Sequence, residues 1–228
     1  MTDDVDRGHV RRGGPALVRT AEGPDGAIEI RKLSVGPLDN NAYILTDVAS
    51  AKALLIDAAN EAQRLLTELE GRELVGILTT HGHQDHWEAL FDVAEATGAP
   101  TLLHPDDADR LPREADRHVA DGDELQVGGV TVRLLHTPGH TPGSTCVLLE
   151  APAERGGVER WLFTGDTLFP GGPGATFGDE EAFAQIITTL RERIFALDDD
   201  TQVCPGHGDD TTLGAERADL DEWEARGW

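Results

Sequence analysis

The sequence predicts an α/β protein in which two β-sheets pack face to face and helices cover their outer sides. Two observations support this fold class. Strand patterns followed by helix patterns occur twice along the chain, and no linker marks a domain boundary, so residues 1–228 are predicted to form a single domain. The hydrophobic content of 39% is enough to fill a sizeable core.

Apolar runs in the first half predict four strands and two helices. Residues 1–26 are polar and rich in glycine and proline, which predicts a loosely ordered N-terminal extension or an edge strand followed by a turn. The continuous apolar run 53–57 is typical of a strand buried on both faces. The predicted strands are 28–33, 42–46, 53–57 and 74–78, and the predicted helices are 61–70 and 88–97.

The second half contains more strands than the first. Gly128 and Gly129 join two short strands and indicate a hairpin. An irregular polar stretch at 106–117 and a glycine-rich loop at 169–178 separate the regular elements. The predicted elements are strands at 100–104, 124–127, 130–135, 144–149, 161–163 and 202–204, a helix at 181–197, and a polar C-terminal helix within 213–228 that carries Trp223 and Trp228.

The charge of the chain narrows the class of partner. Nineteen basic and 43 acidic side chains give a formal net charge of −24, which disfavours nucleic acid and anionic membrane surfaces. No apolar run approaches the ~20 residues of a membrane span, and the N-terminus lacks the hydrophobic core of a signal peptide, so a cytoplasmic location is expected. The sequence leaves the oligomeric state open.

The two cysteines do not form a disulfide framework in a chain of this length. Cys146 and Cys204 both lie in apolar segments, which predicts buried thiols. One alternative stays open, because Cys204 precedes His207 by three residues and has the spacing of a Cys-x-x-His ligand pair.

Residues 79–86 (TTHGHQDH) carry the strongest chemical signal in the chain. They follow the predicted strand 74–78, and alternation at a strand end points His81 and His83 to the same face. Asp85 and His86 come slightly later and can reach a second point nearby. Imidazoles together with a carboxylate favour zinc or iron as the bound ion.

Three further segments place histidine or aspartate directly after an apolar strand. They are TPGHT at 137–141, FTGDT at 163–167 and PGHG at 205–208, which contain His140, Asp166 and His207. Loops at one edge of a sheet sandwich can bring such residues to a common rim. A pair of divalent ions held there about 3.5–4 Å apart can activate water for attack on a carbonyl. The chain has no convincing serine or cysteine nucleophile, and this chemistry requires none.

The order and spacing of these four motifs, from about residue 28 to 212, resemble those of the metallo-β-lactamase-fold hydrolases. The resemblance implies an αβ/βα four-layer sandwich with two mixed sheets and a site for two divalent metal ions. One ion would be held by His81, His83 and His140, the other by Asp85, His86 and His207, and Asp166 would bridge them. Asp85 is also expected to act as a catalytic residue that orients the nucleophile or handles its proton. Zinc is the expected metal, with iron as the alternative.

The segment after Phe163 looks most like that of the glyoxalase II subgroup and its persulfide dioxygenase relatives. A bridging aspartate is expected there and not in true zinc β-lactamases. The chain departs from the subgroup in its glycine-rich segment, which does not end in arginine, and it lacks a long C-terminal helical domain that grips glutathione. The resemblance therefore implies a small-molecule substrate and zinc-dependent hydrolysis of an acyl thioester or related activated ester, with a lactonase or a single-iron persulfide dioxygenase as alternatives. A metal-binding protein without catalysis is a further alternative, which the complete set of ligands disfavours.

The loops 36–43 and 168–178 are predicted to line the acyl pocket. The candidate substrate-binding residues in these loops are Asn41, Tyr43, Phe169 and Phe177. His136 lies four residues before His140 and is predicted to be a hydrogen-bonded structural residue, with a supporting role at the metal site as the alternative.

Overall fold

The computed structural model describes residues 8–23, 26–153 and 157–227. Seven strands form the first sheet, in the order β1 to β7. Neighbouring strands are antiparallel from β1 to β4 and parallel from β4 to β7. These strands are β1 Leu17–Gly23, β2 Gly26–Val35, β3 Asn40–Asp47, β4 Lys52–Ile56, β5 Glu73–Leu78, β6 Thr101–Leu103 and β7 Arg117–His118.

The second sheet has six strands in the order β15-β14-β11-β10-β9-β8. All of its neighbours are antiparallel except β11 and β14, which run parallel. Its strands are β8 Glu124–Val127, β9 Val130–His136, β10 Thr145–Pro152, β11 Val158–Gly165, β14 Gln202–Pro205 and β15 Thr211–Thr212. A separate two-stranded ribbon pairs β12 Leu168–Phe169 with β13 Gly172–Pro173.

Helices cover the outer face of each sheet. The α-helices are α1 Ala62–Glu68, α2 Leu90–Thr97, α3 Glu180–Thr189, α4 Leu213–Glu216 and α5 Leu220–Arg226. Short 3₁₀ segments are present at Gln84–His86, Pro105–Arg110 and Arg217–Asp219, and α3 continues into a π-helical turn at Leu190–Ile194. No helix in the described ranges is both long and apolar enough to span a membrane.

Three buried clusters show that the layers are helix, sheet, sheet and helix. The central cluster joins the facing sides of the two sheets and includes Leu54, Leu149 and Phe163. A second cluster lies between the outer face of the first sheet and helices α1 and α2, and a third lies between the second sheet and helices α3 and α5. Burial of alternate residues on both faces of the inner strands explains why these strands are apolar throughout. The predicted four-layer α/β sandwich is confirmed.

The chain ends differ from the simplest predictions. Residues 1–26 were predicted to be either a loose extension or an edge strand followed by a turn. Leu17–Gly23 forms an edge strand paired with β2, which is the second alternative. Residues 1–7, residues 24 and 25, and Trp228 lie outside the described residues. The segment predicted as a polar C-terminal helix is helical from Leu213 to Arg226, but it is divided into three short segments and buries Leu213, Leu220 and Trp223 against the second sheet.

Candidate metal centre

Seven side chains converge at the edge where several strands of the two sheets end. The loop after β5 supplies four of them and the loop after β9 supplies His140. Asp166 follows the last residue of β11, and His207 follows β14, which lies parallel to β11. The structure thus brings together all seven residues predicted as ligands. They are His81, His83, Asp85, His86, His140, Asp166 and His207.

His81, His83 and His140 form one half of the centre, the three-histidine group. His83 Nδ1 lies 3.1 Å from His81 Nε2 and 2.9 Å from His140 Nε2. His81 and His140 are buried and His83 is half-buried. Three ring nitrogens therefore face one small volume that is open to solvent on the His83 side.

Asp85, His86 and His207 form the second half, the mixed group. The Nε2 atoms of His86 and His207 are 3.2 Å apart, and Asp85 Oδ2 lies 3.3 Å from His207 Nε2 and 3.7 Å from His86 Nε2. Asp166 lies between the two groups. Its Oδ1 is 3.3 Å from His86 Nε2, and its Oδ2 is 3.6 Å from His140 Nε2 and from His207 Nε2. Its two oxygens therefore lie next to ring nitrogens of both groups.

Hydrogen bonds pointing away from the centre orient three of the imidazoles. They join His86 Nδ1 to the Asp57 carboxylate (2.8 Å), His140 Nδ1 to the Ala175 carbonyl (2.8 Å) and His207 Nδ1 to the Leu38 carbonyl (3.0 Å). Each acceptor requires a proton on Nδ1, which in a neutral ring leaves the Nε2 lone pair facing the centre. Histidines that bind metals are usually held in this way.

The donor geometry fits divalent metal ions. Nitrogens bound to one tetrahedral zinc at about 2.0–2.1 Å lie roughly 3.3 Å from one another, close to the ring separations of 2.9, 3.1 and 3.2 Å found here. Lone pairs that face one another at such distances repel unless a cation lies between them. The Oδ1 atom of Asp166 is also buried and makes no hydrogen bond of good geometry with any described residue. A bound cation would satisfy it.

The three-histidine group is neutral at ordinary pH. Burial lowers the pKa of His81 well below its usual value, and the nearby His86 and His140 lower it further. Burial likewise lowers the pKa values of His83 and His140. Because neutral imidazole is the form that binds metal, this half of the centre needs no deprotonation step near pH 7.

The carboxylates in and beside the mixed group favour positive charge in it. Burial acts to lower the pKa of His86, but the carboxylates of Asp166 and Asp57 outweigh it and raise that pKa well above its usual value. Burial alone would raise the pKa values of Asp85 and Asp166, yet the neighbouring histidines lower both. The two carboxylates are therefore ionised, and their field favours a cation in the space they share.

Gly206 lets the backbone pass close to the centre. A Cβ at this position would lie 2.3 Å from Asp166 Oδ1 and 2.6 Å from His86 Cε1, distances that no side chain tolerates. The glycine in the PGHG segment is thus required so that His207 can approach the other ligands.

The substrate-binding prediction for Asn41 and Tyr43 needs correction. Asn41 is 2% exposed and its amide donates to the carbonyls of Pro205 and Gly208. Tyr43 is 3% exposed and its hydroxyl also donates to the Pro205 carbonyl. Both residues therefore hold the loop that carries His207, and they do not line an open pocket.

The two predicted phenylalanines do lie beside the centre. The Phe169 ring is 6.3 Å from the His207 ring, and the Phe177 ring is 5.8 Å from His83 and 6.1 Å from His140. Phe177 is 79% exposed and has a left-handed backbone with φ of 56°. Such a conformation is unfavourable for an aromatic residue, so folding alone does not account for a phenylalanine here.

Two other residues from the sequence analysis have roles in packing. Cys204 lies in the central core, and the metal-type clusters found among the described residues do not include it. The His136 ring donates from Nε2 to the Pro142 carbonyl and stacks 3.9 Å from the His104 ring. His136 is therefore a hydrogen-bonded residue at the base of the His140 loop, as predicted.

Asn40 and Asp57 also touch candidate ligands, although the sequence motifs do not predict them as site residues. Asn40 donates to Asp85 Oδ2 at 2.9 Å, and Asp57 accepts hydrogen bonds from His86 and from the backbone and hydroxyl of Thr80. The available signal was their position, because Asp57 ends an apolar strand as the other site residues do. Neither residue lies in a histidine motif, so neither was singled out.

Comparisons with known proteins identify the family of this chain. Residues 35–207 match the model of the Metallo-beta-lactamase superfamily. A hydroxyacylglutathione hydrolase from Fuscovulum blasticum is 35% identical, over 74% of this chain and 62% of that protein.

Two solved structures are similar in both fold and sequence. ETHE1 from Myxococcus xanthus is 30% identical with a TM-score of 0.71, covering 82% of this chain and 81% of that one. TTHA1623 in a di-iron-bound form is 30% identical with a TM-score of 0.65, covering 82% of this chain and 96% of that one. With the family match over residues 35–207 and the ligand geometry described above, this chain belongs to the metallo-β-lactamase superfamily.

Proposed function

We propose that this protein is a metal-dependent hydrolase of acyl thioesters or related activated esters, with two divalent ions, zinc in the first instance, in its active site. The observation that carries the proposal is the position of Asp166 between two complete ligand groups, with its oxygens 3.3–3.6 Å from nitrogens of both. A carboxylate in that position suits two ions better than one. Superfamily members bind divalent metals, and the identity of the metals is part of the proposal.

The protein side chains would divide the work as follows. Ions bound here would lower the pKa of a shared water and polarise the carbonyl that it attacks. Asp85 is half-buried and ionised, and Asn40 orients it by donating to Oδ2. As a carboxylate it can therefore hold and orient the nucleophilic water by accepting a hydrogen bond from it. Asp57, through His86, fixes one imidazole of the mixed group.

The similarity to a hydroxyacylglutathione hydrolase supports a thioester substrate. The chain covers 62% of that relative's length, so the thiol half of the substrate is not inferred from it. A lactone is a second ester-like substrate within the same hydrolase class. The proposed partner is a small molecule in every case, and the proposed location is the cytoplasm.

Hydrolysis can be tested directly with protein loaded with zinc. We expect turnover of one or more members of a panel of acyl thioesters and lactones, loss of turnover after chelation, and recovery when zinc is added back. A zinc-loaded protein that hydrolyses none of them would contradict the proposal. The His140→Ala variant is the matched control for contaminating activity.

Phe177 is proposed to contact the acyl group. We expect Phe177→Ala to raise KM for substrates with an apolar acyl chain about tenfold, because a ring partly covered by a ligand contributes roughly 1.5 kcal/mol. The free energy of unfolding should stay within about 0.5 kcal/mol of wild type, since the exposed ring makes few packing contacts. Steady-state kinetics and thermal unfolding measure the two effects.

Val48→Ala is the matched control for this substitution, because Val48 is 57% exposed and adjoins the far end of β3. It should change neither quantity. A KM for Phe177→Ala equal to that of wild type would remove Phe177 from the substrate site.

A persulfide dioxygenase with a single iron is the second candidate. The similarity to ETHE1 favours this candidate, in which only some of the seven residues would bind the metal. It predicts oxygen consumption with a persulfide substrate. The full mixed group and the bridging position of Asp166 favour the hydrolase instead.

A further inference from the structure

Asp107 is a buried carboxylate outside the set of candidate ligands. It lies in the 3₁₀ segment Pro105–Arg110 and is fully buried. A buried ionised group is costly unless it is hydrogen-bonded and paired with opposite charge. The contacts of Asp107 therefore indicate what it stabilises.

These contacts reach both loops of the three-histidine group. Asp107 Oδ2 accepts from the backbone N–H of Gly82, between His81 and His83, at 2.7 Å. The same oxygen accepts from the hydroxyl of Thr141, next to His140, at 2.6 Å. Its other oxygen accepts from the backbone N–H of Gly143 at 3.0 Å.

Arg110 supplies the opposite charge. Its Nε is 3.3 Å from Asp107 Oδ1, and its side chain packs over Gly82. One carboxylate thus joins the loop of His83 to the loop of His140. These two histidines are 57 residues apart in the sequence, and His83 Nδ1 lies 2.9 Å from His140 Nε2.

We propose that Asp107 is a positioning residue that holds the three-histidine half of the metal centre in binding geometry. The inference rests on the proposed metal centre and deepens it. The mixed group depends on other supports, namely Asp57 for His86 and the Leu38 carbonyl for His207. Loss of Asp107 should therefore weaken the two halves unequally.

Asp107→Asn is the variant that tests this role. An asparagine has the same shape, but its amide nitrogen cannot accept a hydrogen bond from a backbone N–H. If the amide nitrogen takes the Oδ2 position, the backbone N–H of Gly82 loses its acceptor; if it takes the Oδ1 position, the N–H of Gly143 loses its acceptor and the His140 loop keeps only the bond from Thr141. Partners that orient metal ligands typically change metal affinity by 10–100-fold when they are replaced, and we expect a loss in that range.

The effect of Asp107 on each half of the centre can be measured in variants that retain only one complete ligand group. In a His207→Ala background, which retains the three-histidine group, Asp107→Asn should raise the zinc dissociation constant about 10–100-fold. In a His140→Ala background, which retains the mixed group, it should leave that constant within about twofold of its background. Competition with a chromogenic chelator gives both constants without any measurement of turnover.

Asp47→Asn is the matched control. Asp47 is also buried, at 3% exposure, and accepts from the backbone of Gly129 and from backbone and hydroxyl of Ser50, but it ends β3 at the opposite end from Asn40. It should alter neither constant.

Thr141→Val removes one of the two bonds to Asp107 Oδ2 and should raise the same dissociation constant by a smaller factor. This variant keeps the test valid if Asp107→Asn does not fold.

Equal losses in both backgrounds, or no loss in either, would overturn the positioning role. Such a result would leave the proposed hydrolase untouched, because zinc would still bind. Absence of zinc binding in the parent protein and in both backgrounds would instead overturn the metal centre together with this inference.

Discussion

Asp85→Asn is expected to lower kcat for thioester hydrolysis by about 10²–10³-fold, the usual effect of removing one preorganised polar group from around the reacting atoms. Asparagine keeps the shape and one acceptor oxygen, but it has no negative charge with which to orient the nucleophilic water. Asp85 also belongs to the mixed group, so a weaker hold on the second ion adds to the loss. Steady-state kinetics at saturating zinc, with metal content measured on the same sample, gives the effect.

The fold of this variant should be intact. Asp85 is half-buried at the rim, and Asn40 can donate to the asparagine oxygen as it does to Oδ2. The Asp92→Asn variant is a suitable control, since Asp92 lies in the first turn of α2, beyond the ligand loop. Undiminished turnover by Asp85→Asn would contradict the assignment of Asp85 as a catalytic residue.

Asp210→Ala is expected to reduce the free energy of unfolding by about 3–5 kcal/mol, because it removes one partner of a buried ion pair and leaves the other charge buried. Asp210 accepts from Lys32 Nζ at 2.7 Å and from Arg19 at 2.6 Å, and the side chains of Lys32 and Asp210 are each 3% exposed. Lys32 also donates to the carbonyls of Gly8 and Gly208. Removal of the carboxylate leaves a buried ammonium without its charge partner. Denaturant unfolding measures the change.

The neighbouring residue provides the control. Asp209 is 36% exposed in its side chain and pairs with the exposed His9, so Asp209→Ala should change the free energy of unfolding by no more than about 0.5 kcal/mol. A double replacement, Lys32→Met with Asp210→Leu, should recover much of the loss because it removes the buried Lys32 charge together with the carboxylate. Arg19, whose side chain is 19% exposed, loses one bond in both variants. A stability loss below about 1 kcal/mol for Asp210→Ala would contradict the role given to this pair.

The candidate ligands were predictable because each lies in a short motif directly after an apolar strand. Strand ends of packed sheets meet at one edge, so strand order alone brings such residues close together. The strand 53–57 was predictable for a similar reason, since burial on both faces leaves a continuous apolar run.

The supporting residues were not predictable because their roles depend on side-chain direction. Asn40 and Asn41 are adjacent on β3, so their side chains point to opposite faces. One reaches Asp85 and the other reaches the backbone below His207. The sequence does not fix which asparagine faces the centre. Asp107 is harder still to find, because it lies in a polar stretch and its partners come from loops 25 and 34 residues away.

The metal content of protein purified without added metal or chelator tests the central claim most directly. The ligand geometry predicts about two divalent ions per chain, and the hydrolase proposal predicts zinc as the predominant ion. About one iron per chain, with oxygen uptake on a persulfide, would contradict the hydrolase and favour the dioxygenase. The measurement needs no knowledge of the substrate.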